Sequence, residues 1–214
     1  MHPEAPCYHP LLRLATAVEL IHSASLIHDD VLDNARFRRE QLSLNEKYGN
    51  KISVLTGDML FLQGFSLLIN LDLEWRLKQE VFQIMCDTTQ KMCFGEMYQH
   101  NILKEHRRAN LKEYLTIIEY KTATLMSVCC QFGSLLASSD RGISQHLAHF
   151  GLNFGLAFQL ADDVHDQDAL LSQEVNLHAA TNEYIVKAKH TLQSVNGHPM
   201  TTHLMALCDL ITQA

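Results

Sequence analysis

LATAVELIHSASLIHDDVLD (residues 14–33) and LNFGLAFQLADDVHD (residues 152–166) decide the fold of this chain. Each is an apolar run of helical period that ends in the same pattern, Asp29-Asp30-x-x-Asp33 and Asp162-Asp163-x-x-Asp166. In a helix, residues three and four apart share a face, so Asp29 and Asp33 point the same way with Asp30 beside them, and the second cluster repeats the geometry. Three carboxylates on one helix end repel each other unless a positive group lies among them. Hard oxygen ligands at this spacing suit magnesium, which prefers carboxylates together with substrate phosphates. Two such clusters facing each other would hold several magnesium ions around a diphosphate. A lone pattern of this kind is often no more than a solvated helix end. Two of them, each closing a long apolar run, make coincidence a poor account.

The rest of the composition agrees with long packed helices. The 214 residues suit a single domain with a substantial core, and 47% hydrophobic content with only 4 Pro and 9 Gly argues against disorder. A net charge of -7 disfavours a nucleic-acid partner. The six cysteines (7, 86, 93, 129, 130 and 208) show no CxxC and no metal spacing, so they read as reduced, mostly buried thiols of a cytoplasmic protein. No charge-free apolar stretch reaches 18 residues, so no transmembrane span is expected. The opening MHPEAPCYHP lacks the basic and apolar regions of a signal peptide.

Helical periodicity predicts helices over residues 9–34, 50–70, 73–103, 110–138, 143–166, 169–195 and 200–213. A basic polar loop, NARFRREQ (residues 34–41), follows the first cluster. Ser139-Asp140 reads as a helix cap, and Asn196-Gly197-His198-Pro199 as a turn. No strand alternation or repeat is visible. The expectation is an all-α antiparallel bundle, which builds metal sites from side chains facing inward on neighbouring helices.

Cations accompany the clusters. Arg36, Arg38 and Arg39 follow the first, and arginine grips diphosphate oxygens bidentately, although such a loop alone is commonly just a solvated basic segment. Lys121-Thr122 lies within the apolar run IIEYKTATLMSVCC (residues 117–130), where a lysine needs an anionic partner or must snorkel to water. Gln159 lies three residues before Asp162, on its face. Cys129-Cys130 reads as helix packing rather than thiol chemistry.

Five stretches together resemble the trans-prenyl (polyprenyl) diphosphate synthases: VELIHSASLIHDDVLDNARFRRE, NKISVLTGDMLFLQ, GEMYQ, YKTATL and GLAFQLADDVHD. The resemblance runs from about residue 15 to 168, in the family's order. It implies an isoprenoid synthase helical bundle with a central cavity between the two Asp-rich helices, and usually a homodimer, with a heteromer as the alternative. It implies an enzyme that condenses isopentenyl diphosphate with an allylic diphosphate by magnesium-assisted ionisation, giving a trans-polyprenyl diphosphate. On that resemblance Asp29, Asp30 and Asp33 would bind two magnesium ions. Asp162, and less directly Asp163 and Asp166, would hold a third. Arg38 and Lys121 would contact the allylic diphosphate, Arg39 and His22 the isopentenyl diphosphate, and Thr122 and Gln159 would lie near the developing carbocation.

Two family segments have no counterpart. A Gly-Gly-Lys-x-x-Arg-Pro motif is expected before residue 15, and a Gly-Lys loop with an Asp-Leu-x-x-Gly-Lys motif after residue 168, where DQDALLSQEVNLHAATNEYIVKAKHTLQ (residues 166–193) follows at once. These gaps keep open a non-catalytic or partner-dependent subunit. A class I terpene cyclase would show an Asn/Ser/Glu second motif instead of Asp162-Asp163-x-x-Asp166. A di-iron bundle would show Glu-x-x-His pairs beside the clusters. Ala24 and Ser25, five and four residues before Asp29, are small. In short-chain members an aromatic there closes the product tunnel, so a product beyond fifteen carbons is expected, with Phe61, Phe65 or Phe94 as deeper stops.

Overall fold

The computed structural model describes residues 8–138, 140–166, 170–171, 176–195 and 199–213, apart from the side chains of His165, Asp166, Pro199 and Gln213. The described chain is all-α apart from one minute hairpin. It divides into two compact units, Met1–Gln83 and Ile84–Ala214, and the boundary falls inside the long helix α4 (Trp75–Lys104).

The first unit is built on α1 (Tyr8–Leu32) and α3 (Asn50–Ile69), which pack against each other. Leu14, Ala17, Val18, Ile21 and Ala24 recur at helical spacing on α1 and are buried. Two glycines of α3 allow the close approach. A Cβ at Gly64 would stand 2.9 Å from Ile21 Cγ1, and one at Gly57 would stand 2.2 Å from His28 Nε2. The His28 ring fills the notch at Gly57, bonds the carbonyl of Val54 at 3.1 Å and rests against Phe61.

The expected loop after α1 is more ordered than its sequence suggests. Strands β1 (Phe37–Arg38) and β2 (Gln41–Leu42) pair antiparallel across Arg39 and Glu40, both in the left-handed region at φ 48° and 65°. A two-residue hairpin needs that conformation at its centre. A short helix α2 (Leu44–Tyr48) follows, capped by Ser43. The Ser43 hydroxyl and the Asn45 amide both donate to the Ala35 carbonyl, which ties the hairpin to the end of α1.

The second unit contains α5 (Leu111–Ile118), a π-helical segment (Glu119–Ala123), α6 (Thr124–Ala137), α7 (Arg141–Asp166), α8 (Leu177–Gln193) and α9 (Pro199–Gln213). Asn110 and Glu113 form a reciprocal capping box at the start of α5. The predicted helix over 110–138 is therefore one rod with a π turn in its middle. Gly151 and Gly155 let α7 press onto this rod: a Cβ at Gly155 would stand 2.6 Å from Ala123 Cα. Asp140 caps α7 by accepting from Gly142 N at 2.8 Å, while Ser139 lies outside the described residues.

Two other expectations change. Helix α8 begins at Leu177, not residue 169, because Leu170 and Leu171 are buried in the core beneath Ala109 and Tyr114. Ala109 N donates to the Leu170 carbonyl at 2.8 Å and holds the chain there. The turn at 196–198 lies outside the described residues. Of the cysteines, Cys208 is buried but Cys93 and Cys129 are exposed, so the thiols are less buried than expected; Cys7 is not described. Finally, α1 and α3 are each long and apolar enough to cross a bilayer by length and composition. Neither helix holds 18 residues free of charge, since Arg13 and Glu19 interrupt α1 and Lys51 and Asp58 interrupt α3.

Candidate active site

Two constellations carry the expected residues, and each is described within its own unit. In the first, Asp29 and Asp30 end α1. Asp30 is 3% exposed. Arg38, from strand β1, donates from Nε to both of its oxygens at 2.8 and 2.9 Å and brings a terminal nitrogen within 2.8 Å. The hydrogen bond to Asp30 raises the Arg38 pKa, burial opposes it, and the charges of Asp30, Asp29 and Asp33 add to the rise. The guanidinium is thus the counter-ion of this cluster. Asp29 is half-buried and Asp33 exposed. Arg39 is exposed, and Arg36 turns to Glu46 at 3.4 Å. His22 is half-buried, and its carbonyl accepts from Ser25 Oγ at 2.8 Å. Ser25 is half-buried, whereas Ala24 has no exposed surface and therefore borders no open space.

In the second constellation, Lys121 and Thr122 sit on the π segment and Gln159, Asp162 and Asp163 on the last turns of α7. Thr122 Oγ1 donates to Gln159 Oε1 at 2.8 Å, and Gln159 Nε2 donates to Asp163 Oδ1 at 2.8 Å. The hydroxyl of Tyr114, a fully buried residue of α5, donates to Asp163 Oδ2. Asp163 is 7% exposed, whereas Asp162 is exposed. The side chain of Asp166 lies outside the described residues. Lys121 Nζ meets Glu96 Oε2 at 2.5 Å and Gln99 Oε1 at 3.0 Å. Burial pushes the Cys130 thiol up to about 12, so it is not a nucleophile at neutral pH.

Sequence reasoning did not give roles to Tyr114, Glu96, Gln99 and His28. The last three lie within or beside quoted stretches, so their positions were available. Tyr114 carries no local signal beyond its place on the apolar face of α5.

The chain belongs to the polyprenyl synthetase family, which it matches over residues 4–189. It is 41% identical over 153 residues to a mitochondrial solanesyl-diphosphate synthase 1 of Oryza sativa, a match covering 72% of this chain and 34% of that protein. It is 33% identical over 153 residues to component 2 of a heptaprenyl diphosphate synthase of Bacillus subtilis, covering 72% of this chain and 42% of that protein. The chain thus spans less than half the length of these relatives. Its fold is that of the geranylgeranyl pyrophosphate synthetase of Pyrococcus horikoshii, at TM-score 0.89 and 19% identity over 97% of this chain and 80% of that one.

Proposed function

We propose that this chain is a trans-prenyltransferase that condenses isopentenyl diphosphate with an allylic diphosphate. The observation that carries this reading is the line Thr122–Gln159–Asp163 next to Lys121. Two stretches far apart in sequence bring Thr122 and Gln159, the residues expected beside an allylic cation, into one network, and Lys121, expected at the diphosphate, adjoins Thr122 in the chain. Membership of the polyprenyl synthetase family supports it.

Asp29, Asp33 and Asp162, with Asp166, would hold magnesium, three ions in all. Their oxygens are the hard donors that ion takes. Among the described residues no three His, Cys, Asp or Glu are gathered as a ready-made metal site. Magnesium takes one or two carboxylates and completes its shell from phosphates and water. Once bound, magnesium supplies positive charge to the diphosphate as it departs. Lys121 and Arg38 bind the allylic diphosphate and stabilise the same charge. Arg39 and His22 bind the isopentenyl diphosphate. Thr122 donates its hydroxyl hydrogen bond to Gln159 Oε1, so its oxygen lone pairs remain to face a carbocation. Asp30 and Asp163, both buried and bonded, orient their neighbours.

The product is a long-chain polyprenyl diphosphate, in keeping with the relatives named solanesyl- and heptaprenyl-diphosphate synthase. We assign the tunnel contact to Ser25, since Ala24 has no space beside it. Ser25→Phe should shorten the product by overfilling; an unchanged length distribution from a folded variant removes the assignment. The enzyme works in the cytoplasm as a homodimer or, following the relative named component 2, with an unlike subunit.

The test is turnover of the purified chain with magnesium, isopentenyl diphosphate and farnesyl diphosphate. The expected result is chain elongation with release of inorganic diphosphate. Elongation only after addition of a second subunit shows the heteromer. A hydrocarbon formed from the allylic diphosphate alone overturns the reading in favour of a cyclase.

A further inference from the structure

The stretch Gly95-Glu96-Met97-Tyr98-Gln99 of α4 is a seat for one side chain. A Cβ at Gly95 would stand 2.9 Å from both Lys121 Cγ and Tyr120 Cβ and 3.1 Å from Lys121 N. Only glycine lets the lysine stem and the π segment lie this close. The ammonium then reaches Glu96 Oε2 at 2.5 Å and Gln99 Oε1 at 3.0 Å, with the Lys121 and Glu96 side chains 24% and 14% exposed. The two contacts differ in kind. Gln99 accepts a directed hydrogen bond, whereas Glu96 Oε2 is buried and makes no hydrogen bond of proper geometry. Its hold on Lys121 is a short, poorly aligned ion pair.

We propose that Glu96 is a positioning residue that competes with diphosphate for Lys121. This rests on the reading that Lys121 binds diphosphate. When the ammonium turns to a diphosphate, Glu96 is left as a half-desolvated carboxylate without its counter-ion, which costs free energy. When inorganic diphosphate leaves, the lysine returns to Glu96. The carboxylate therefore weakens the grip on substrate and product alike and sets how readily the product diphosphate is released. Binding every diphosphate more tightly would not by itself speed the chemical step.

The experiment is calorimetric titration of the whole chain with inorganic pyrophosphate in saturating magnesium, beside steady-state kinetics. Glu96→Gln keeps the shape and removes the charge. It should lower the pyrophosphate Kd by roughly 2- to 10-fold, the range of a partly buried ion pair. KM and kcat should fall together as release slows. Glu96→Asp, which retracts the carboxylate, should lie between wild type and Glu96→Gln; it is the fallback if Glu96→Gln fails to fold. Damage to packing alone would weaken binding. A Kd equal to or above wild type in the folded variant overturns the proposal, provided Lys121→Met still weakens pyrophosphate binding. If Lys121→Met leaves that binding unchanged, the assignment of Lys121 to diphosphate falls instead, and the proposal with it.

Discussion

The two aspartate clusters share one five-residue pattern, yet the protein holds their middle carboxylates by opposite means. Asp30 is buried against a charge, the bidentate guanidinium of Arg38. Asp163 is buried and accepts from two neutral donors, the Tyr114 hydroxyl and the Gln159 amide. In both clusters the first aspartate is more open than the second. The helix explains the common part: the second residue is turned about 100° from the first and so faces the packing side. The difference teaches that a shared motif fixes which way a carboxylate points but not what compensates its burial. A charged partner can be lent to an incoming anion, whereas a hydroxyl and an amide serve as fixed struts.

The largest expected effect tests the lending. Arg38→Ala should reduce kcat/KM by roughly 10²- to 10³-fold, about 3–4 kcal/mol, if its cation serves the departing diphosphate. Near wild-type kinetics would leave Arg38 a purely structural partner of Asp30 and remove the contrast.

Next come the struts. Asp163→Ala should lower folding stability by about 2–4 kcal/mol, because it removes a buried carboxylate that accepts from the hydroxyl of fully buried Tyr114. Asp30→Ala should cost only about 1–2 kcal/mol, since the Arg38 side chain is 39% exposed and can turn to water. Urea unfolding of the two variants checks the order; equal losses would mean that the two burials are compensated alike.

Tyr114→Phe is finer. It removes one donor from Asp163 and should cost about 1–2 kcal/mol, with kcat reduced more than KM as Gln159 and Thr122 lose their fixed orientation. A variant with native stability and native kcat would show that Asp163 does not depend on that hydroxyl.

The smallest effect is acid sensitivity at the start of α5. Glu113 is held down at about 2 by hydrogen bonds from Arg107, aided by the backbone N–H of Asn110, and it neighbours Tyr114 in the chain. A depressed carboxylate pKa contributes stability above the unfolded value of 4.5, and that stability is lost as pH falls from there through about 2. Glu113→Gln should therefore flatten part of the stability loss in that window. Unfolding curves of the two proteins at pH 2.5, 3.5 and 6 measure it; parallel pH profiles would count against the pairing.

Much of this was legible in the chain. The helices announce themselves because burial at Leu14, Ala17, Val18, Ile21 and Ala24 follows a local period. The clusters do so because they close such runs. The hairpin was not legible, since two-residue strands leave no alternation to see and its turn uses Arg39 and Glu40 instead of the usual glycine or asparagine. Nor was the π segment, whose apolar pattern continues smoothly from α5 into α6. Tyr114, which donates to Asp163, lies 49 residues away in sequence, and only packing could reveal it. Lys121 was expected to need an anion or to snorkel to water, and Glu96, 25 positions upstream on another helix, is an anion beside it.

The π turn at Glu119–Ala123 can also be thought of as a phase error kept on purpose. Five residues in place of the usual four to close one hydrogen-bonded loop amount to one residue of extra winding, about 100° of rotation. Everything on α6 is turned by that angle relative to α5. A chain shortened by one residue between 119 and 123 would regain a smooth α-helix. It would then have to choose which half to keep in register: Tyr114 under Asp163, or the faces of Ala123 and Met126 that receive Gly155 and Gly151. The extra residue lets a single rod satisfy both, and it places Lys121 and Thr122 at the point where the two registers meet.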